Sequence, residues 1–158
     1  MGSRSKIDLA YIAGFLDGDG SLMLQLKKRS DSGKKWRFMA TICFYQDSRH
    51  EAPLEWIRNV LGIGYLSRRN DGMSELRING FKQVRDILKN LSPYIKFKKE
   101  QATAMSVALD LLLVRGKNLD QADLVQLIDC LLKIQKHNYV TKKKKSLNDF
   151  YAILGLTP

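Results

Sequence analysis

In the stretch AYIAGFLDGDGS, residues 10–21, an apolar run breaks into glycines and presents two carboxylates, Asp17 and Asp19. The chain around them is basic, with 27 Lys and Arg against 16 Asp and Glu and a net charge of +11. The nearest cations in sequence are Lys6 before the pair and Lys27 after it. A surplus of Lys and Arg gains free energy on a polyanion by releasing condensed counterions, so nucleic acid is the expected partner. A carboxylate beside a phosphate repels it, and a divalent cation with hard oxygen ligands reverses that repulsion while lowering the pKa of a water molecule. Acids on such a chain therefore point to Mg2+, with Mn2+ or Ca2+ able to occupy the same sites. The plain alternative is a helix ended by Gly18 with Asp19 filling the turn.

Other chemistries fit less well. A calcium loop counted from Asp17 needs Gly where Leu22 stands and a carboxylate where Lys28 stands. A dinucleotide-binding turn is preceded by a strand, whereas these glycines follow a helical pattern. His50 and His137 are too few for a histidine-rich metal finger, no D/E-x-K tripeptide occurs, and no Ser-His-Asp spacing is recognisable. Cys43 and Cys130 form no C-x-x-C pair, which leaves two free thiols and a reducing compartment as the expectation. No run reaches the roughly 18 apolar residues of a membrane span. The chain is expected to be intracellular, in an organelle (chloroplast or mitochondrion) or a bacterial cytoplasm, with no membrane and no small-molecule cofactor.

Elements that position the acids can be read from period and punctuation. Ser5 and Asp8 have capping spacing before a helix over 8–16, which Gly18 and Gly20 are expected to stop. Strict alternation predicts strands over 21–29 and 36–46 as one hairpin. Pro53 opens a helix closed by Gly62, and IGYLSRR and MSELRING flank Asn70-Asp71-Gly72 as a second hairpin. Helices follow over 81–91, about 98–114, about 119–134 and 145–154. The order is α-β-β-α-β-β-α. The expectation is a single α+β domain over 1–158: an αββαββα core over about 6–115 with a curved antiparallel four-stranded sheet, then C-terminal helices over about 116–158.

Helices on one face of the sheet leave the other bare. Alternation assigns to it Met23, Gln25, Lys27, Arg29, Arg37, Met39, Thr41, Cys43, Tyr65, Ser67, Arg69, Glu75 and Arg77. Arg forks onto guanine, Gln onto adenine, and a carboxylate accepts from cytosine, so this surface suits double-stranded DNA in the major groove; the plain alternative is a solvated face of an antiparallel sheet. Lys142 and Lys143, in the charged linker before the last helix, are candidate phosphate contacts. Ala10, Gly14 and Gly18 recur every four residues, with Ala13 beside them, a stripe that lets a second helix approach closely.

The segment IAGFLDGDG, residues 12–20, resembles the motif of LAGLIDADG homing endonucleases, and the element order resembles that family's core over the first two-thirds of the chain. The resemblance implies a site-specific double-strand DNA endonuclease that hydrolyses phosphodiesters with Mg2+-activated water. One motif copy implies a homodimer, paired through Ala10, Ala13, Gly14 and Gly18, on a long, roughly palindromic target cut across the minor groove. It implies that Asp19 binds the metal by its side chain and Gly18 by its backbone oxygen. Gln46 and Lys98 would assist catalysis, with either Arg49 or His50 as a basic residue nearby. Asp17 caps or orients in that pattern. The same fold also serves non-cleaving nucleic-acid binders, as an RNA maturase or transcriptional regulator, and that alternative stays open here.

Overall fold

The computed structural model describes residues 4–29, 36–138 and 144–157. The first half runs α1 (Lys6–Asp19), β1 (Gly20–Lys28), β2 (Trp36–Asp47), a short 3-10 turn at Ser48–His50, α2 (Ala52–Leu61), β3 (Tyr65–Arg68), β4 (Met73–Asn79) and α3 (Phe81–Leu91). Among the described residues three more helices follow: α4 (Lys99–Arg115), α5 (Gln121–His137) and α6 (Leu147–Leu154). The strands form one antiparallel sheet in the order β1-β2-β4-β3.

Alternation places Leu22, Leu24 and Leu26 of β1 across from Ile42, Ala40 and Phe38 of β2, and Ile42 and Phe44 across from Ile78 and Leu76 of β4. This apolar face packs beneath α1 and α3, joined by Ile12 and Leu16 from α1 and by Val84, Ile87 and Leu88 from α3. Helices α4 and α5 extend the same layer and reach β1. Deep burial of Phe44, Leu22 and Leu16 marks the centre of the core.

One expected boundary is corrected. Helix α1 does not stop at Gly18 but continues through it to Asp19, and the chain turns into β1 at Gly20 in an extended conformation. A Cβ on Gly20 would come within 2.9 Å of the Leu16 main chain, so this abrupt helix-to-strand change requires glycine. Gly18 carries no such constraint, since a Cβ there meets nothing within 4 Å. Ser5 caps the other end of α1, accepting from the Ile7 N–H.

Candidate active site

Two positions along a helix turn a side chain by about 200°. Asp17 therefore points inward and Asp19 outward from the same last turn. Asp17 is buried, and its two carboxylate oxygens accept the main-chain N–H groups of Lys96 at 2.7 Å and Lys98 at 3.0 Å. Those donors lie in the connection between α3 and α4, so the carboxylate pins that loop to the end of α1. Lys98 turns back, and its Nζ donates to the Asp17 main-chain carbonyl at 2.6 Å, a group with no partner further along its own helix. Burial pushes the Lys98 ammonium below the ordinary lysine value, opposed by the charges of Asp17 and Asp19. Asp19 itself is exposed. Asp17, Gly18, Asp19 and Lys98 line a single hollow of about 540 Å³ with Ser21, Met23, Tyr45, Arg69, Met73, His137 and Asn138.

Asp19 and the Gly18 carbonyl are hard oxygen donors at a helix C-terminus, the end whose partial negative charge favours a cation. Among the described residues no three His, Cys, Asp or Glu side chains cluster tightly enough to cage a metal. A donor set this small fits Mg2+, which keeps several waters and takes one or two carboxylates together with substrate phosphates. It does not fit a closed structural zinc site.

The remaining expected catalytic residues lie apart from this hollow. Gln46 alternates with Tyr45 and so points to the other side of β2; its Oε1 accepts the Asp47 N–H at 2.8 Å. Gln46, Arg49 and His50 line a neighbouring hollow of about 590 Å³ with Glu51 and Arg68. Arg49 forks onto Asp47 at 2.7 and 3.0 Å, and this pairing holds the Asp47 carboxyl well below the usual range. Of the two basic candidates, Arg49 is engaged by a carboxylate and His50 is exposed.

On the open face of the sheet, strand register groups Met23 with Thr41 and Asn79, Ser21 with Cys43, Arg77 and Tyr65, and Tyr45 with Glu75 and Ser67. Met23, Gln25, Met39, Ser67, Glu75 and Arg77 keep part of their surface, and Lys27, Arg37, Tyr65 and Arg69 are exposed. Arg29 follows β1, partly exposed. Two expectations need correction. Thr41 and Cys43 are on this face but buried, because small side chains on the inner strand β2 have neighbours on both sides. Thr41 donates to Asn79 Oδ1 at 2.7 Å, and burial raises the Cys43 thiol. Arg77 is steadied by Glu75 at 3.0 Å. Lys142 and Lys143 lie outside the described residues.

Lys27 and Arg37 stand directly opposite each other. Like charges in that position are destabilising unless an anion lies between them.

The outward stripe on α1 also differs from expectation. Gly14 and Gly18 are exposed and Ala10 is partly so, but Ala13 is buried in the core, about 100° round the helix from Gly14. Residues that sequence reading did not single out here are Ser21, Met73, Asn79, His137 and Asn138. The first three sit two residues from expected strand positions (Met23, Glu75 and Arg77) in the alternation; the last two are so distant in sequence that only folding joins them to Asp19.

A family model described as LAGLIDADG endonuclease matches residues 12–108. The chain is 33% identical over 99 residues to the DNA endonuclease I-CvuI of Chlorella vulgaris, covering 63% of this chain and 62% of that protein. It is 31% identical over 98 residues to the DNA endonuclease I-CreI of Chlamydomonas reinhardtii, covering 62% and 60%. The matched stretch thus spans about three-fifths of each curated relative's length. In three dimensions the likeness extends further. A crystal structure of I-CvuI in complex with its target in the presence of 2 mM Ca aligns with a TM-score of 0.84 and 25% identity over 97% of this chain and 98% of that one. The archaeal intron-encoded I-Vdi141I complexed with DNA aligns at 0.79 and 21% identity over 94% and 95%, a likeness of fold. With its motif, element order and more than half its length matched, the chain belongs to the LAGLIDADG endonuclease family.

Proposed function

We propose that the chain is a Mg2+-dependent, site-specific endonuclease that cuts double-stranded DNA as a homodimer on a roughly palindromic site. The observation that carries this reading is the placement of exposed Asp19 and half-buried Lys98 in one hollow, next to an open strand face bearing Lys27, Arg37 and Arg77.

The strand face receives the duplex. Lys27 and Arg37 take phosphates, which relieves their mutual repulsion, while Gln25, Glu75 and Arg77 offer hydrogen-bonding groups to base edges. Asp19 and the Gly18 carbonyl would hold the metal. A bound divalent cation supplies charge against the phosphate and makes a water molecule a stronger acid. Lys98 places its ammonium beside Asp19, where negative charge grows as the phosphodiester is attacked, and Asp17 fixes the loop that carries it. Crystal structures of I-CvuI with its target in the presence of Ca and with the I-CreI target in the presence of Mg support divalent-metal use here.

Pairing through α1 is supported by Gly14 and Gly18. Neither lacks a side chain for the sake of its own chain, since a Cβ on either meets nothing within 4 Å. A second backbone approaching from outside gives both glycines a physical reason.

The decisive measurement is cleavage of a randomised DNA pool in Mg2+, with Asp19→Asn as control. The expected outcome is a discrete set of sites cut on both strands by the wild type and by the variant not at all. Cutting that persists in Asp19→Asn defeats the assignment of Asp19, and binding without cutting by the wild type favours a regulator or maturase.

A further inference from the structure

Helix α5 lies beyond the residues that the family match covers, yet its C-terminal end reaches the hollow of Asp19 and Lys98, which His137 and Asn138 help to line. Two hydrogen bonds bring it there. Gln101, in the first turn of α4 just after Lys98, donates from Nε2 to the His137 carbonyl at 3.0 Å. Asn138 donates from Nδ2 to the Leu22 carbonyl at 3.2 Å, on the edge strand that begins directly after Asp19. One short segment is therefore tied to both elements that carry the central candidate residues.

Gln101 is not where packing alone would put an amide. It is only 3% exposed, and its Oε1 has no hydrogen-bond partner among the described residues. A half-satisfied buried amide is unfavourable where an apolar side chain would fit, so its grip on the His137 carbonyl is what its polarity contributes. His137 itself is exposed at the hollow, with no ring partner shown among the described residues. In either tautomer an imidazole presents an N–H donor, the group a phosphate oxygen accepts from.

We propose that the end of α5 is a wall of the cleavage site: His137 donates a ring N–H to a phosphate oxygen of the strand lying in the hollow, and Gln101 and Asn138 act as positioning residues for it. The proposal rests on the endonuclease reading above. It adds a substrate contact from a part of the chain remote in sequence from the motif.

The test uses the full chain and a DNA site selected by the wild type. Single-turnover cleavage is followed at saturating enzyme in Mg2+, and affinity is measured separately in Ca2+. His137→Ala is expected to slow cleavage about tenfold, the size of losing one hydrogen bond to a charged group, with affinity changed less than threefold. His137→Gln, which keeps an N–H donor, recovers most of the rate. Asn138→Ala slows the same step with affinity kept. An unchanged rate in His137→Ala overturns the proposal, as does a loss confined to affinity or a glutamine variant as slow as alanine. Circular dichroism melting of each variant identifies a loss due to misfolding, and in that case the glutamine variant alone decides. A wild type that cuts no site overturns both readings, whereas a cutting wild type indifferent to His137 overturns only this one.

Discussion

Asp17 has both carboxylate oxygens on main-chain N–H groups of the segment before α4, while Asp19 faces outward. The sequence shows two equivalent acids; the turn of the helix makes one a structural tie and leaves the other exposed at the helix end. Removing the Asp17 carboxylate leaves two N–H groups to find water in a buried place. Asp17→Ala is therefore expected to lower unfolding stability by about 2–3 kcal/mol, at the range of a lost hydrogen bond that leaves buried donors unmet. A urea-unfolding series checks this, and an unchanged midpoint defeats the tie. Cleavage should fall with it, since the Lys98 loop loses its anchor. That a motif acid orients rather than binds was legible from the family pattern. Its partners were not, because Lys96 and Lys98 lie far along the chain and no local spacing announces them.

At the scale of elements, alternation marked β1 and β2, the Asn70-Asp71-Gly72 turn marked the β3-β4 hairpin, and Gly62 and Pro53 marked the ends of α2. The end of α1 was misread because Gly18 is a poor helix former by propensity. The requirement sits at Gly20, where the Leu16 backbone crowds the turn, and a contact of that kind is invisible without coordinates. The reciprocal caps Asp120 with Asp123 and Ser146 with Asp149, which start α5 and α6, also went unread although their spacing is local. The entry to α2 depends on longer-range charge. Glu51 accepts a fork from Arg68 of β3 and the Ser74 hydroxyl of β4, and these partners lower its carboxyl from 4.5 to about 2. A depressed carboxylate stabilises the fold fully above its unfolded value and loses that contribution as pH falls toward the folded one. Glu51→Gln is thus expected to melt below wild type at neutral pH, with the gap closing between pH 4.5 and about 2. Thermal melts of both proteins across that window check the sign. A gap independent of pH would mean that packing, not charge, joins α2 to the β3-β4 hairpin.

For the whole molecule, the open strand face and the outward stripe of α1 are two surfaces that the described residues leave uncovered. Ile7 and Tyr11 are 80% and 61% exposed on that helix, beside Gly14 and Gly18. If a second copy meets this stripe, the two Asp19 side chains come to lie near one axis, and one pass of a duplex serves both hollows. The stripe can be blocked without disturbing the chain that carries it. A Cβ at Gly14 meets nothing within 4 Å, and leucine favours the helix over glycine by up to about 1 kcal/mol. Gly14→Leu is therefore expected to keep the far-ultraviolet spectrum of the wild type while shifting its elution from dimer to monomer. Cutting of both strands should be lost with the dimer, because in the proposed dimer each subunit would contribute one acidic helix end. A variant that still elutes as a dimer, or a wild type that is already monomeric while cutting both strands, would place the pairing surface elsewhere on the molecule.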